Sequence, residues 1–274
     1  MFGSSAVTVR HPAVAGRFYP GDPAELRSLI ASYGSANAKP SPAIGCVAPH
    51  AGYLYSGGVA GAVYSDLEVP GRCIVLCPNH TGKGPALSIM SRGGWKTPLG
   101  VASIDADLAD GLRDAFPALS EDREAHRSEH GIEVQLPFLQ VRRPDFAFVP
   151  IALGSSDFEV LEALGTAIGQ LLPVQAGPIL IIASSDMNHY ESDAITRLKD
   201  HKAIDQILAL DARGLFEVVM REKISMCGFG PTVVMLTAAR HLGATGADLV
   251  RYATSGDASG DRETVVGYAG IVVR

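Results

Sequence analysis

Seven short and nearly continuous apolar runs recur along the chain, and they limit its fold more than any other feature does. A run that is apolar at every position suits a β-strand buried on both faces, and each run is well short of the ~18 apolar residues that span a membrane. Each run is therefore predicted to be a buried strand. The runs cover residues 44–48, 73–77, 87–90, 146–153, 179–183, 249–252 and 265–273.

Stretches with helical spacing alternate with several of these runs. Alternating strands and helices predict an α/β fold in layers. The only linker-like segment, residues 36–43, is short, and the charged segment 120–129 is interpreted as a surface connection, so a single domain over residues 1–274 is expected. The helical stretches cover residues 23–33, 105–116, 132–139, 158–172, 194–208 and 232–242.

Composition excludes several classes of protein. Apolar residues make up 47% of the 274 residues and charged residues 19%, as in folded globular proteins. The net charge of −6 and the lack of a Lys or Arg run argue against nucleic acid. Four cysteines in apolar surroundings, without a secretion signal, predict a reduced cytoplasmic protein with no membrane partner.

Three of the apolar runs end in a polar loop that contains a histidine. His50 follows the first run, His80 the second, and Asp186 and His189 follow the run at 179–183. Ligands of open α/β sheets bind at the carboxyl ends of the strands. One such histidine is usually only a loop residue, but three after the same kind of run predict a shared site.

The segment CIVLCPNHTG contains two cysteines and a histidine, as a metal knuckle does. In a strand, Cys73 and Cys77 lie about 13 Å apart, whereas two sulfurs on one zinc ion lie roughly 4 Å apart. The two cysteines are therefore predicted to be buried apolar residues, which leaves His80 as the group available for chemistry.

The segment HRSEH, residues 126–130, matches the pattern of inverted zinc peptidases. Ser128 is typical of a helix N-cap and the helical spacing starts at residue 132, so His126 is expected before the helix, and a peptidase is the weaker interpretation. His130 and Glu133, three positions apart, are expected on one helical face, where they present an imidazole and a carboxylate to the site.

Cys227 lies in MCGFGPT, just before the helical stretch at 232–242. A helix N-terminus favours a thiolate, which predicts a nucleophile or a metal ligand, while an inert packed cysteine fits the spacing equally well. Neither a phosphate-binding glycine motif nor a G-x-S-x-G elbow occurs in the chain, so nothing predicts a nucleotide or a serine hydrolase.

Several sequence motifs occur in a fixed order along the chain, and as a set they are specific to one protein family. On that set the chain resembles the Memo-like family over nearly its whole length, a family whose fold is similar to that of the LigB-type class III extradiol dioxygenases. The resemblance implies a single α/β domain with a central, largely buried mixed β-sheet flanked by helices. The motifs are HPAVAGRFYPGDPAEL, PHAGYLYSG, CPNHTG, EHGIEVQLPFL, VPIALG, ASSDMNHY, MCGFGP and TSGDASGD with VVGYAG.

The resemblance also implies a metal held by His50, His80 and Cys227. In the dioxygenases the corresponding trio is two histidines and a carboxylate, which suits non-haem Fe(II). Iron is expected first, and the thiolate in place of the carboxylate, being softer, makes copper or zinc the alternatives. The further residues implied at the site are Asp186, His189, His130 and Glu133.

Roles for these groups follow from their chemistry. His189 is expected to act as general acid and base, and Asp186 to orient a histidine or to sit at the edge of the metal. Tyr53 and Phe18 are expected to form pocket walls for a small aromatic or otherwise planar substrate. The resemblance further implies radical-SAM and AMMECR-like proteins as pathway partners.

Three functions are consistent with this set of residues. The first is a metal-dependent oxidoreductase, dioxygenase-like in its metal site. The second is a binding module that keeps the cleft for a metal ion or a peptide without turnover. The third is a zinc hydrolase that activates water.

Overall fold

The seven predicted apolar runs form seven of the strands of one mixed sheet. A computed structural model describes residues 8–34 and 39–274, and within them twelve strands join in this sheet. The strands are β1 Val9–Arg10, β2 Gly45–Ala48, β3 Arg72–Pro78, β4 Leu87–Ile89, β5 Gly94–Thr97, β6 Gly100–Ile104, β7 Ser120–Glu121, β8 Ala147–Leu153, β9 Ile179–Ser184, β10 His189–Glu191, β11 Ala247–Thr254 and β12 Val265–Val273.

The centre of the sheet is parallel, and the strands beyond β2 are antiparallel. The main order is β1-β5-β6-β8-β3-β9-β2-β12-β10, with β11 paired to β12, and β4 to β7 and β8. Strands β6, β8, β3, β9 and β2 run parallel to one another, whereas β12 is antiparallel to β2, β10 and β11. The expected mixed sheet is confirmed.

Helices cover both faces of this sheet. Two 3₁₀ turns, Glu133–Gln135 and Leu172–Val174, accompany them. The helices are α1 Pro23–Tyr33, α2 Tyr53–Asp66, α3 Ala106–Ala115, α4 Glu124–Arg127, α5 Leu136–Arg142, α6 Phe158–Leu171, α7 Asp193–Leu208, α8 Ala212–Glu222, α9 Phe229–His241 and α10 Gly256–Ser259.

Alternate residues of the central strands face opposite layers of the core. In β3, Ile74 and Leu76 pack with the layer that contains α6 and α9, whereas Cys73, Val75 and Cys77 pack with the layer that contains α1 and α2. All five side chains are fully buried. Cys73 and Cys77 are free thiols, and burial raises the pKa of both, so their prediction as apolar core residues is confirmed.

Helix α2 was not predicted, because its sequence lacks an apolar stripe. It is buried on most of its faces and contains glycines where another helix approaches. A Cβ atom at Gly57 would lie 2.4 Å from the ring of Tyr33, and one at Gly61 would lie 2.4 Å from the Cβ atom of Tyr33. The glycines therefore let the end of α1 pack directly on α2.

Two further expectations change in detail. The segment 120–129, interpreted as a surface connection, contains β7 and α4, and Ala125, His126 and Glu129 within it are buried. Of the linker-like residues 36–43, positions 36–38 lie outside the described residues, while Ser41 forms a bridge with Leu67. None of the helices in the described ranges is long and apolar enough to cross a membrane.

Candidate metal centre

The three histidine-bearing loops leave the sheet at one edge. Strands β3, β9 and β2 are neighbours in the sheet and run parallel, so their carboxyl ends lie side by side. His80 follows β3, Asp186 follows β9, and His50 follows β2. The shared edge predicted from the apolar runs is therefore confirmed.

Cys227 reaches the same edge from a distant part of the chain. It lies two residues before α9, and the backbone N–H of Asp186 donates to its sulfur at 3.3 Å. Gly228 makes this approach possible, because a Cβ atom there would lie 2.4 Å from the Cβ atom of Ser185. The glycine after Cys227 thus lets its loop pack against the end of β9.

The structure brings His50, His80 and Cys227 into one cluster. One ligand atom from each lies within 4.8 Å of the other two, and Nε2 of His50 is 3.1 Å from Sγ of Cys227. Two donors bound to one metal at about 2.0–2.3 Å lie at most about 4.6 Å apart. The trio therefore fits a single transition metal after only small adjustments.

Hydrogen bonds fix the tautomer of His50. The hydroxyl of Ser184 donates its one proton to the carbonyl of Gly131 at 2.6 Å, so it can only accept from Nδ1 of His50, 2.9 Å away. Gln135 donates to the same hydroxyl at 2.8 Å. His50 consequently carries its proton on Nδ1, and its Nε2 lone pair faces the sulfur of Cys227.

His80 is held by a buried carboxylate. Its Nδ1 lies 2.8 Å from Oε1 of Glu129, and its backbone N–H donates to Oε2 at 2.7 Å. Gly131 N–H also donates to Oε1, at 2.9 Å. A carboxylate that accepts the Nδ1 proton leaves Nε2 free for a metal and makes that nitrogen more basic.

Charge and burial oppose each other in this pair. Burial alone would lower the pKa of His80, but the hydrogen bond and charge of Glu129 raise it. Burial alone would raise the pKa of Glu129, but the hydrogen bond and charge of His80 bring it to about 2. Glu129 is therefore ionised at neutral pH and accepts the Nδ1 proton of His80.

Glu129 was not identified from the sequence. The signal for it was the HRSEH segment, where the Glu and the second His do reach the site. His126 does not reach the site. It lies in α4 and is fully buried, and its ring centroid is 5.7 Å from that of Trp95. The two histidines of the peptidase pattern therefore do not meet, and the helix expected to include His130 starts only at Glu133.

His130 lies beside the cluster rather than on a helix. Its ring stacks on that of His80, with centroids 4.7 Å apart and planes 18° apart, and lies 5.4 Å from that of His50. The half-buried ring of Phe18 meets it edge-on at 5.0 Å. Phe18 thus stands beside the site.

Glu133 and Tyr53 lie elsewhere than expected. Both oxygens of Glu133 accept hydrogen bonds from the segment before α1, including Arg10 at 2.6 Å and Tyr19 at 2.8 Å, so it is a buried anchor and does not share a helical face with His130. Tyr53 is 2% exposed and its hydroxyl donates to the carbonyl of Val134 at 2.6 Å. Its ring belongs to the core beneath the site.

Asp186 and His189 form a second trio with Cys227, again within 4.8 Å of one another. Nδ1 of His189 donates to the carbonyl of Ser225 at 2.9 Å, since a carbonyl can only accept, so Nε2 is left free. Oδ1 of Asp186 already accepts from the backbone N–H of His50 at 2.7 Å. Because of that bond, Asp186 orients the His50 loop at the edge of the cluster.

Burial changes the ionisation of the other groups. Burial, with the nearby His80 and His130, holds the pKa of His50 well below its ordinary value, so this ring is neutral at pH 7. Burial and the charge of Asp186 raise the pKa of the Cys227 thiol, against the expectation that the helix N-terminus would favour a thiolate. A bound cation would reverse this, because a metal stabilises the thiolate that coordinates it.

Comparisons with known proteins agree over nearly the whole chain. A family model described as Memo-like protein matches residues 10–272. A MEMO1 family protein of Methanopyrus kandleri is 43% identical over 279 residues, covering 97% of this chain and 99% of that protein. One of Methanosarcina barkeri is 44% identical over 267 residues, covering 97% and 100%.

One solved structure shares the fold. The crystal structure of an uncharacterized protein of Escherichia coli K12 matches with a TM-score of 0.54 and 14% sequence identity, over 83% of this chain and 98% of that one. At that identity the likeness concerns the arrangement of helices and strands alone.

Proposed function

This chain belongs to the Memo-like protein family, and from that membership and the geometry of the site we propose that it is a metal-dependent oxidoreductase acting on a small molecule. His50, His80 and Cys227 would hold one transition metal, iron ahead of copper or zinc. When bound, the metal would supply one-electron and oxygen chemistry beside the substrate.

One observation carries the proposal: the two histidines present unprotonated Nε2 atoms to one thiol. Ser184 holds the Nδ1 proton of His50, and Glu129 holds that of His80. Two imidazoles with fixed tautomers beside a thiol, the His50 ring buried and the His80 ring open to solvent, form an arrangement that suits a soft or borderline metal.

The groups beside the trio would handle protons and position the substrate. His189 has Nδ1 fixed on Ser225, so its Nε2 would accept a proton from a substrate hydroxyl and return it. His189 is partly exposed and is not one of the three proposed metal ligands, so a substrate can reach this imidazole from solvent. Asp186 would keep the His50 loop in place.

The function is tested by oxygen uptake. Protein purified without oxygen and loaded with Fe(II) is expected to consume O₂ in the presence of a substrate found by screening reduced aromatic and other planar compounds. His189→Ala should lose turnover and keep its iron, while His80→Ala should lose both. His201→Ala is the matched control, because His201 is an exposed helix residue and should behave like the wild type.

The two alternatives give other results. A binding module would hold the metal and consume no O₂ with any compound, and His189→Ala would leave its binding unchanged. A zinc hydrolase would cleave an ester or amide only when loaded with zinc. The radical-SAM and AMMECR-like partners and the cytoplasmic location stay predictions.

A further inference from the structure

Tyr190 has a strained backbone directly after His189. Its φ is +64°, in the left-handed region that non-glycine residues avoid, and its side chain is 77% exposed. Packing of the ring does not compensate for this strain, because most of the side chain is exposed to solvent. Strained residues of this kind cluster where a ligand is held.

A β-bulge produces the strain. His189 pairs with Val266 and Glu191 with Val265, so two steps along β10 match one step along β12, and Tyr190 is the extra residue. Bulges next to active sites re-aim a side chain. Here the bulge turns the Tyr190 ring to within 5.5 Å of the His189 ring, at 60° to it.

Both neighbours of Tyr190 are anchored, so the chain cannot relax the bulge. The backbone N–H of His189 donates to the hydroxyl of Ser225 at 2.7 Å, which ties the residue before the bulge to the loop that precedes Cys227. Glu191 accepts from Asn188 at 2.7 Å and pairs with Lys199 at 2.6 Å. The ring position is thus set by the same contacts that hold His189.

We propose that Tyr190 is a substrate-contacting residue, which selects small hydroxylated molecules with a flat aromatic ring by stacking on it beside His189. The ring of the ligand would lie on the ring of Tyr190, and its hydroxyl would meet Nε2 of His189. The proposal rests on the proposed function, because it takes the metal cluster as the place of reaction.

The test compares two probes with the same carbon skeleton, the flat aromatic 2-naphthol and the saturated decahydro-2-naphthol, titrated into metal-loaded protein and followed by NMR. Neither probe chelates a metal, and because their hydroxyls differ in acidity, it is the change in the affinity difference on substitution of Tyr190 that reports on stacking. The wild type is expected to prefer 2-naphthol, Tyr190→Phe to keep its affinity within about twofold, and Tyr190→Asn to lose about fivefold. The affinity for decahydro-2-naphthol should not change.

Stability gives the second measurement. Asparagine tolerates a positive φ, so Tyr190→Asn should melt at the same temperature as the wild type or higher. Lys223→Asn is the matched control, because Lys223 has a φ of +53° at the end of α8 and an exposed side chain that is not among the proposed metal or substrate contacts, so the variant should gain stability without altering binding.

Three results would overturn the proposal. They are equal affinity of the wild type for the two probes, unchanged 2-naphthol affinity in Tyr190→Asn, and a melting temperature of Tyr190→Asn several degrees below that of the wild type, which would make the ring structural. Metal content is measured on the same samples. A wild type without metal would contradict the proposed function and would be recognised separately from these outcomes.

Discussion

Nδ1 of His80 and Oε1 of Glu129 lie 2.8 Å apart, and the Glu129 side chain is fully buried. The pair joins two loops that are 49 positions apart in sequence. It determines which nitrogen of His80 faces the cluster, so the metal site depends on a residue that does not belong to it.

Replacement of Glu129 by glutamine should weaken the metal site. The amide cannot accept from His80 Nδ1, His80 N–H and Gly131 N–H together, so His80 loses its fixed tautomer. Metal affinity is expected to fall about 10–100-fold, measured by competition with a chelator. Glu124→Gln is the control, because Glu124 is exposed in the neighbouring helix α4, and unchanged affinity in both variants would refute the role given to Glu129.

Replacement of Glu133 by glutamine should affect folding and spare the metal. Arg10 is 8% exposed and would lose its charged partner, which costs about 3–5 kcal/mol of unfolding free energy for a buried pair. Denaturant unfolding measures this, and elemental analysis of the folded fraction should still find metal. A stable Glu133→Gln variant that lacks metal would show that Glu133 contributes to the metal site.

Two cysteine variants should separate chemistry from packing. Cys227→Ser is expected to lose the metal and to change the melting temperature of the metal-free protein by only a few degrees, because the side chain is partly exposed. Cys73→Ser places a hydroxyl in the core and should lower stability by about 1–3 kcal/mol while the metal is kept. Metal retained by Cys227→Ser would contradict the assignment of the sulfur.

Asp200 should make stability depend on pH. Burial raises its pKa from 3.8 to about 6, although Tyr252 and the backbone of Asn188 donate to it. The folded chain therefore binds an extra proton between these values, and stability rises as the pH falls from about 6 to about 4, by about 3 kcal/mol at most. This contribution is lost as the pH rises through 6.

The comparison with Asp200→Asn isolates this effect, because buried histidines such as His126, with a pKa lowered by burial to about 4, change stability in the opposite direction. Unfolding free energies of wild type and variant are measured from pH 4 to pH 7. Their difference should vary with pH as described, and a difference that is constant over this range would show that Asp200 is ionised throughout.

The sheet and its histidine-bearing edge could be predicted because they depend on local pattern. A strand buried on both faces needs an apolar run, and parallel neighbours must end at one edge, so His50, His80 and His189 could be expected together. Helix α2 could not be predicted this way, since a helix buried on most faces has no apolar stripe.

The roles of the carboxylates could not be predicted because they depend on distant partners. Glu133 is paired with Arg10, 123 positions away, and Glu129 with His80. Both glutamates stand near His130 in sequence, and spacing alone favoured Glu133. Similarly, spacing put Cys227 before a helix, but its grouping with His50 and His80 came from the family resemblance.

The central claim is that His50, His80 and Cys227 hold one metal. The most direct test is an anomalous-scattering map of crystals of the purified protein, recorded on both sides of the iron absorption edge, with elemental analysis of the same preparation. We predict about one metal per chain and one anomalous peak bonded to Nε2 of His50, Nε2 of His80 and Sγ of Cys227. Protein that contains no metal after it has been loaded with metal, or an anomalous peak away from these three atoms, would contradict the account.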